Sequence, residues 1–266
     1  MKTNILKNTS AVIFIAVAAM LLINSGCKKH QPDTTIVTNV DSGTYYMHLH
    51  TNVDTNEVDY GTVYTTSAGR KIAVTRAQLY LSHIQLIKTD GTFYTVPSVI
   101  VLKQQETEQY YIGKVPVGDY KSVRFYVGLD SATNTLSGTA DTALNHPEMW
   151  FGVTAQPNGY IYVNFEGSID TTSGKNGTIA QMQPFMYYIG TPAHNTLVTM
   201  PDHSPVFTVA KGQPTLTHIT VDYGQLFNGV AINNSANLMI MSKSANSSSL
   251  ANTISNNIPS MFSYEE

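Results

Sequence analysis

The chain has 266 residues, 42% of them hydrophobic and only 12% charged, which is enough apolar matter for a sizeable core and too much for a disordered protein. Lys+Arg total 15 against Asp+Glu 18, a formal net charge of −3, so capture of nucleic acid or anionic lipid by charge is excluded. Tyr occurs 16 times, and the polar residues are mostly Thr, Ser and Asn, the composition of a β-rich exported protein.

In chain order, Lys2 and Lys7 come first, then the apolar run AVIFIAVAAMLLI (11–23), then the small residues Ser25 and Gly26 before Cys27. That is the order of charged region, apolar region and cleavage site in a secretory signal. At about thirteen residues the run falls short of the roughly twenty that span a bilayer. Cys27 is the only cysteine, so an exported chain cannot use it for an internal disulfide. The residues before it resemble a lipobox, with Asn24 where leucine is usual, and lipid attachment at Cys27 accounts for both facts. An ordinary signal peptide with a spare thiol is the alternative. The expected organisation is a signal peptide over 1–26, a polar tether over 27–43 and a single domain over 44–266, touching the bacterial membrane through the lipid anchor only, either facing the periplasm or on the outer-membrane surface.

From Tyr45 onward, runs rich in Val, Ile, Thr, Tyr and Phe alternate with clusters of Gly, Pro, Asn and Asp, which is the signature of strands and turns. Strands are expected over about 45–53, 72–88, 93–103, 121–128, 159–167, 183–189, 206–210, 215–223 and 236–241. Asp90–Gly91 supplies the positive φ of a tight hairpin, so 72–88 and 93–103 should pair antiparallel. Pro116 and Gly118 fix a second turn before the strand SVRFYVGLD. Near the end, Leu250, Ile254 and Ile258 recur at four-residue spacing, as in a short amphipathic helix. Many short strands, one terminal helix and no βαβ alternation predict an all-β fold: an antiparallel two-sheet β-sandwich, immunoglobulin-like, with a short C-terminal helix.

Nucleophile-elbow, Walker, HExxH and CxxC patterns are absent from the sequence, and nothing singles out one serine for a Ser-His-Asp site, so the protein is read as no enzyme. Asp54, Asn56, Asp59 and Gly61 resemble the start of a calcium loop, but Val58 and the lack of a spaced glutamate make them a solvated turn. His48 and His50 stand at i and i+2 of the first strand, so both imidazoles project from one face about 7 Å apart, within reach of one metal ion. Two such histidines are also ordinary surface residues. Met47, Met200 and Met241 offer thioethers that would favour Cu(I) if any lay nearby. His194 and His203 read as solvated loop residues, and His83, His146 and His218 as isolated ones. Trp150, the only tryptophan, reads as a core anchor beside Met149 and Phe151.

Taken in order, Gly69–Arg70 with IAVTRAQLYLSHIQLIKTDG, then VPVGDY, VRFYVGLDSATN, NGYIYVNFEG and the Asn257 to Phe262 block resemble the MbnP-like family of exported copper-binding proteins. The resemblance implies a periplasmic or surface-anchored β-sandwich, copper as cofactor, and a di-haem cytochrome-peroxidase-like partner that oxidises a tryptophan to kynurenine. On this pattern His50 matches a first-strand histidine, with His48 beside it, and Trp150 lies in the segment that holds the oxidised tryptophan. Tyr188 stands where relatives carry a histidine, and the segment from Met239 to Ser242 lacks another. The implied metal set is therefore His48, His50 and Met241. A non-metal alternative is an envelope module that binds a glycan or a protein partner through exposed aromatics.

Overall fold

The computed structural model describes residues 41–152 and 158–265. The expected signal peptide, Cys27 and all of the tether up to residue 40 lie outside them. Among the described residues, fifteen strands and one α-helix follow in chain order: β1 (Ser42–Val53), β2 (Asn56–Glu57), β3 (Val63–Thr65), β4 (Lys71–Lys88), β5 (Phe93–Thr95), β6 (Ile100–Lys103), β7 (Gln109–Pro116), β8 (Gly118–Val127), β9 (Ile161–Ile169), β10 (Gln183–Gly190), β11 (Thr196–Thr199), β12 (Phe207–Val209), β13 (Pro214–Asp222), β14 (Met239–Ile240), α1 (Ser249–Asn257) and β15 (Phe262–Tyr264). They form two sheets. The smaller has five strands in the order β15-β13-β1-β2, with β7 also on β1, and the larger has ten, built on β11-β8-β4-β9-β10-β14.

Period-2 alternation makes the two layers. In β1, Tyr45, Met47 and Leu49 are buried in the core while Tyr46, His48 and His50 are not. In β4, Ala77, Leu79 and Leu81 face the same core, so successive side chains sort to opposite faces of each sheet. Phe165 of β9 is the aromatic hub, with ring centroids 4.9 Å from Phe185 and 5.0 Å from Tyr223. Helix α1 is capped by the Ser248 hydroxyl, which accepts from the Ala251 N–H, and it buries Ala251 and Ile254 against the sheets. Its position and apolar stripe agree with the expected helix.

The all-β, two-sheet class is as expected, but the sheets are not purely antiparallel. β1 runs parallel to β13, and β10 parallel to β14. The expected strand over 93–103 is two, β5 and β6, both antiparallel to β4, and Asp90–Gly91 forms the turn with Gly91 at φ +86°. Strands β2, β3, β7, β11 and β15 were not expected. In β7 the alternation is broken because Tyr45 pairs with Gly113 and Tyr46 with Tyr111, a bulge that leaves Ile112 out of step.

A second apolar layer covers the outer face of the larger sheet, where Tyr80, Leu102, Leu129, Leu144, Met149, Tyr160 and Tyr162 cluster. Inside the sheet the tightest spot is Gly167. A Cβ there would collide with the carbonyl oxygen of Ala73 and come 2.9 Å from the Phe185 ring. The backbone oxygen cannot yield without breaking the β4–β9 ladder, so Gly167→Ala is expected to cost about 2–3 kcal/mol, seen as a lower urea midpoint at unchanged m-value.

Candidate metal centre

The backbone ladders bring the donors together. Because Met47 and Leu49 point into the core, His48 and His50 stand on the outer face of the smaller sheet. The parallel register sets His218 of β13 directly beside His48. On the other flank of β1, the Leu49 N–H donates to the Glu108 carbonyl at 2.8 Å, just ahead of β7, and beyond β13 the Glu265 N–H donates to the His218 carbonyl at 3.2 Å, just after β15. Glu57 lies opposite Asn52 across the β1–β2 hairpin.

The side chains then meet. The His48 ring centroid lies 4.2 Å from that of His50 and 4.9 Å from that of His218, so the imidazoles lean together from the roughly 7 Å of an i, i+2 pair. His48 Nε2 is 3.3 Å from Glu108 Oε2, and His218 Nδ1 is 3.4 Å from Glu265 Oε2. His48, His50, His218 and Glu265 each place one donor atom within 4.8 Å of the others. Burial, with the neighbouring His50 and His218 charges, holds the His48 pKa below its ordinary 6.5, against the pull of Glu108 and Glu265. That shift favours the neutral imidazole, the form that ligates metal.

His48 also carries a sign of what the cluster fits. Its Nδ1 is buried and has no hydrogen-bond partner. A neutral imidazole has one N–H, and with that proton on Nε2, the nitrogen in ion-pair range of the Glu108 carboxylate, Nδ1 is a bare lone pair. An imidazole whose outer N–H is held by a carboxylate is how metal-ligating histidines are oriented. Three imidazoles with carboxylates suit Cu(II) or Zn(II).

Of the residues expected from sequence, His48 and His50 are brought together, and Met241 does not join them. It follows β14 at the edge of the larger sheet, is 55% exposed, and lines a separate depression with Phe151, Gly152, Asn158 and Lys243. Met47 and Met200 are buried in the core. The further donors are His218 and Glu265, which sequence reading had left as an isolated histidine and an unremarked acid. A polar residue at every second place of THIT in β13 was the available signal, but only the register shows which histidine it meets.

Trp150 is on the other side of the molecule. Its Nε1 donates to the Leu144 carbonyl at 2.9 Å, and it packs on the apolar layer over the larger sheet, with the core between it and the histidines. Tyr188, on that sheet, donates its hydroxyl to Glu166 Oε1 at 3.1 Å. Trp150→Phe, which removes the indole N–H, is expected to cost about 1–2 kcal/mol in thermal unfolding and to leave metal affinity unchanged. Contrary to expectation, His194 is buried, 4% exposed, with Nε2 2.7 Å from the Asn246 carbonyl oxygen. His83 is not isolated either, lying 3.2 Å from Asp130 and 3.1 Å from Ser82 Oγ. The Ser82 hydroxyl, however, is already given to the Gly128 carbonyl at 2.7 Å.

The chain is thus a two-sheet β-sandwich domain with an imidazole and carboxylate cluster on one outer face that could hold a metal ion. The chain matches the MbnP family model over residues 42–242, and it belongs to that family. Among solved structures it is similar to MbnP from Methylosinus trichosporium, at 16% identity over 71% of this chain and 78% of that one, with a TM-score of 0.47. None of the curated proteins matches it.

Proposed function

We propose that this chain binds copper in the bacterial envelope through His48, His50, His218 and Glu265, and that it acts as a holder of the metal and not as an enzyme. The observation that carries this reading is His48, with its Nε2 against Glu108 and its buried Nδ1 left without a partner. Nitrogen and oxygen donors without a thioether favour Cu(II) over Cu(I), and Cu(II) stands highest among the divalent ions in affinity for such a set. The sequence resemblance points to the same metal. The roles of the residues divide simply: the imidazoles bind, Glu108 orients His48, and β1 and β13 keep the rings adjacent. The apolar run before Cys27 supports placement at the envelope, with the lipid anchor holding the domain near the membrane.

The test is a titration of the full chain with Cu(II), read by electron paramagnetic resonance. The expected result is an axial spectrum carrying nitrogen superhyperfine lines from several imidazoles. A spectrum of loosely held copper without those lines, or one unchanged in a His48→Ala/His218→Ala variant, would overturn the reading.

A further inference from the structure

His50 belongs to two donor groups at once. Its Nε2 lies 3.5 Å from Glu265 Oε2, and its Nδ1 lies 3.8 Å from Glu108 Oε1. One group is His48, His50, His218 and Glu265; the other is His50, Glu57 and Glu108, again with one donor atom from each within 4.8 Å of the rest. The two nitrogens of an imidazole lie on diverging edges of the ring, so a single ion cannot take both. We infer that this face holds two divalent cations bridged by the His50 ring, the second in a carboxylate-rich position made by Glu57 and Glu108.

This rests on the reading of the face as a metal centre and adds a position to it. Glu57 reaches the place because the β1–β2 hairpin sets it across from Asn52, which shares the outer face with His50. Charge argues the same way. Among the described residues, Glu57, Glu108 and Glu265 have no lysine or arginine in ion-pair contact, and the partners of Glu108 and Glu265 are the histidines. Lys103, buried beneath, gives its ammonium to Thr51 Oγ1 and the Gln104 carbonyl. Three carboxylates carry more negative charge than one divalent ion neutralises. The two positions also differ in kind: the imidazole-rich one suits Cu(II), and the oxygen-rich one suits a harder ion or a second copper. For His50 to bridge, the second ion replaces its remaining N–H proton, which passes to the buffer, and no electron is transferred.

The full chain is titrated with Cu(II), and bound metal is counted after gel filtration while spin intensity is followed. The expected result is two equivalents, with the second lowering the integrated spin signal as the two coppers couple through the imidazolate. Glu57→Gln, which touches only the second position, should weaken that equivalent by about tenfold or more and leave the first unchanged. Saturation at one equivalent, or a second equivalent that binds without loss of signal or is indifferent to Glu57→Gln, would overturn the bridged pair and leave the single copper site standing. No copper bound in the parent would remove both readings.

Discussion

Replacing His50 by alanine is expected to lower copper affinity by about a hundredfold or more, the largest effect of any single substitution on this face. Loss of a residue that merely orients a ligand costs roughly ten- to a hundredfold, and His50 is a donor in both clusters. Its ring also packs 4.2 Å from His48, so removing it frees His48 to turn away. The fold should be little affected, because His50 is partly exposed on an outer strand face and contributes nothing to the core; substitutions of that kind usually change stability by under about 1 kcal/mol. Competition against a chromophoric chelator measures the affinity. His146→Ala is the control, since His146 sits over the larger sheet beside Glu148. If the two variants bound copper equally, the ligand assignment would be wrong.

The second large effect concerns Lys103. It ends β6 fully buried, and no carboxylate pairs with it among the described residues. Burial lowers its pKa from 10.5 to about 8, with the charge of Glu108 opposing. The unfolded chain keeps the proton to about 10.5 and the folded chain releases it near 8, so the unfolded state binds more protons between those values. Stability therefore rises with pH over that window, and at pH 7 the buried ammonium costs on the order of 3 kcal/mol. Above pH 10 the sign reverses. Burial pushes Tyr60 up to about 12, and Tyr110 further, so the unfolded state loses those protons first and gains on the fold. Stability should peak between pH 8 and 10. Lys103→Met removes the charge at similar volume and leaves Thr51 without its partner, which offsets about 1 kcal/mol. The variant is expected to be about 2 kcal/mol more stable at pH 7 and to show no rise from pH 7 to 9. Urea midpoints across that range test this, and a slope equal to the parent's would refute it.

Much of the architecture could be read from residues alone. The alternation of β1, the Asp90–Gly91 turn and the stripe of α1 each arise from local rules of pleat, turn geometry and helical period. Strand β7 escaped because a bulge breaks its alternation, and the parallel β1–β13 pairing because strand direction leaves no mark on a single strand. The site was half legible for the same reason. His48 and His50 share a face by spacing, whereas His218 joins them only through register across distant sequence, and Glu265 only through a hydrogen bond after β15. Met241 was drawn in by its chemistry, and its place at the edge of the other sheet separates it from the imidazoles. Trp150 was legible as packing, and the fold puts that packing on the far layer.

The parallel seam between β1 and β13 sets when the proposed metal site can first exist. Its two strands are far apart in the chain, Ser42–Val53 and Pro214–Asp222, so neither alone owns more than a fragment of the histidine cluster. Capture of the ion must wait for closure of this long-range pairing, a slow event in chains of such connectivity. Under the proposed function, loading would thereby report closure of this pairing, and a copy with the strands unpaired would stay empty.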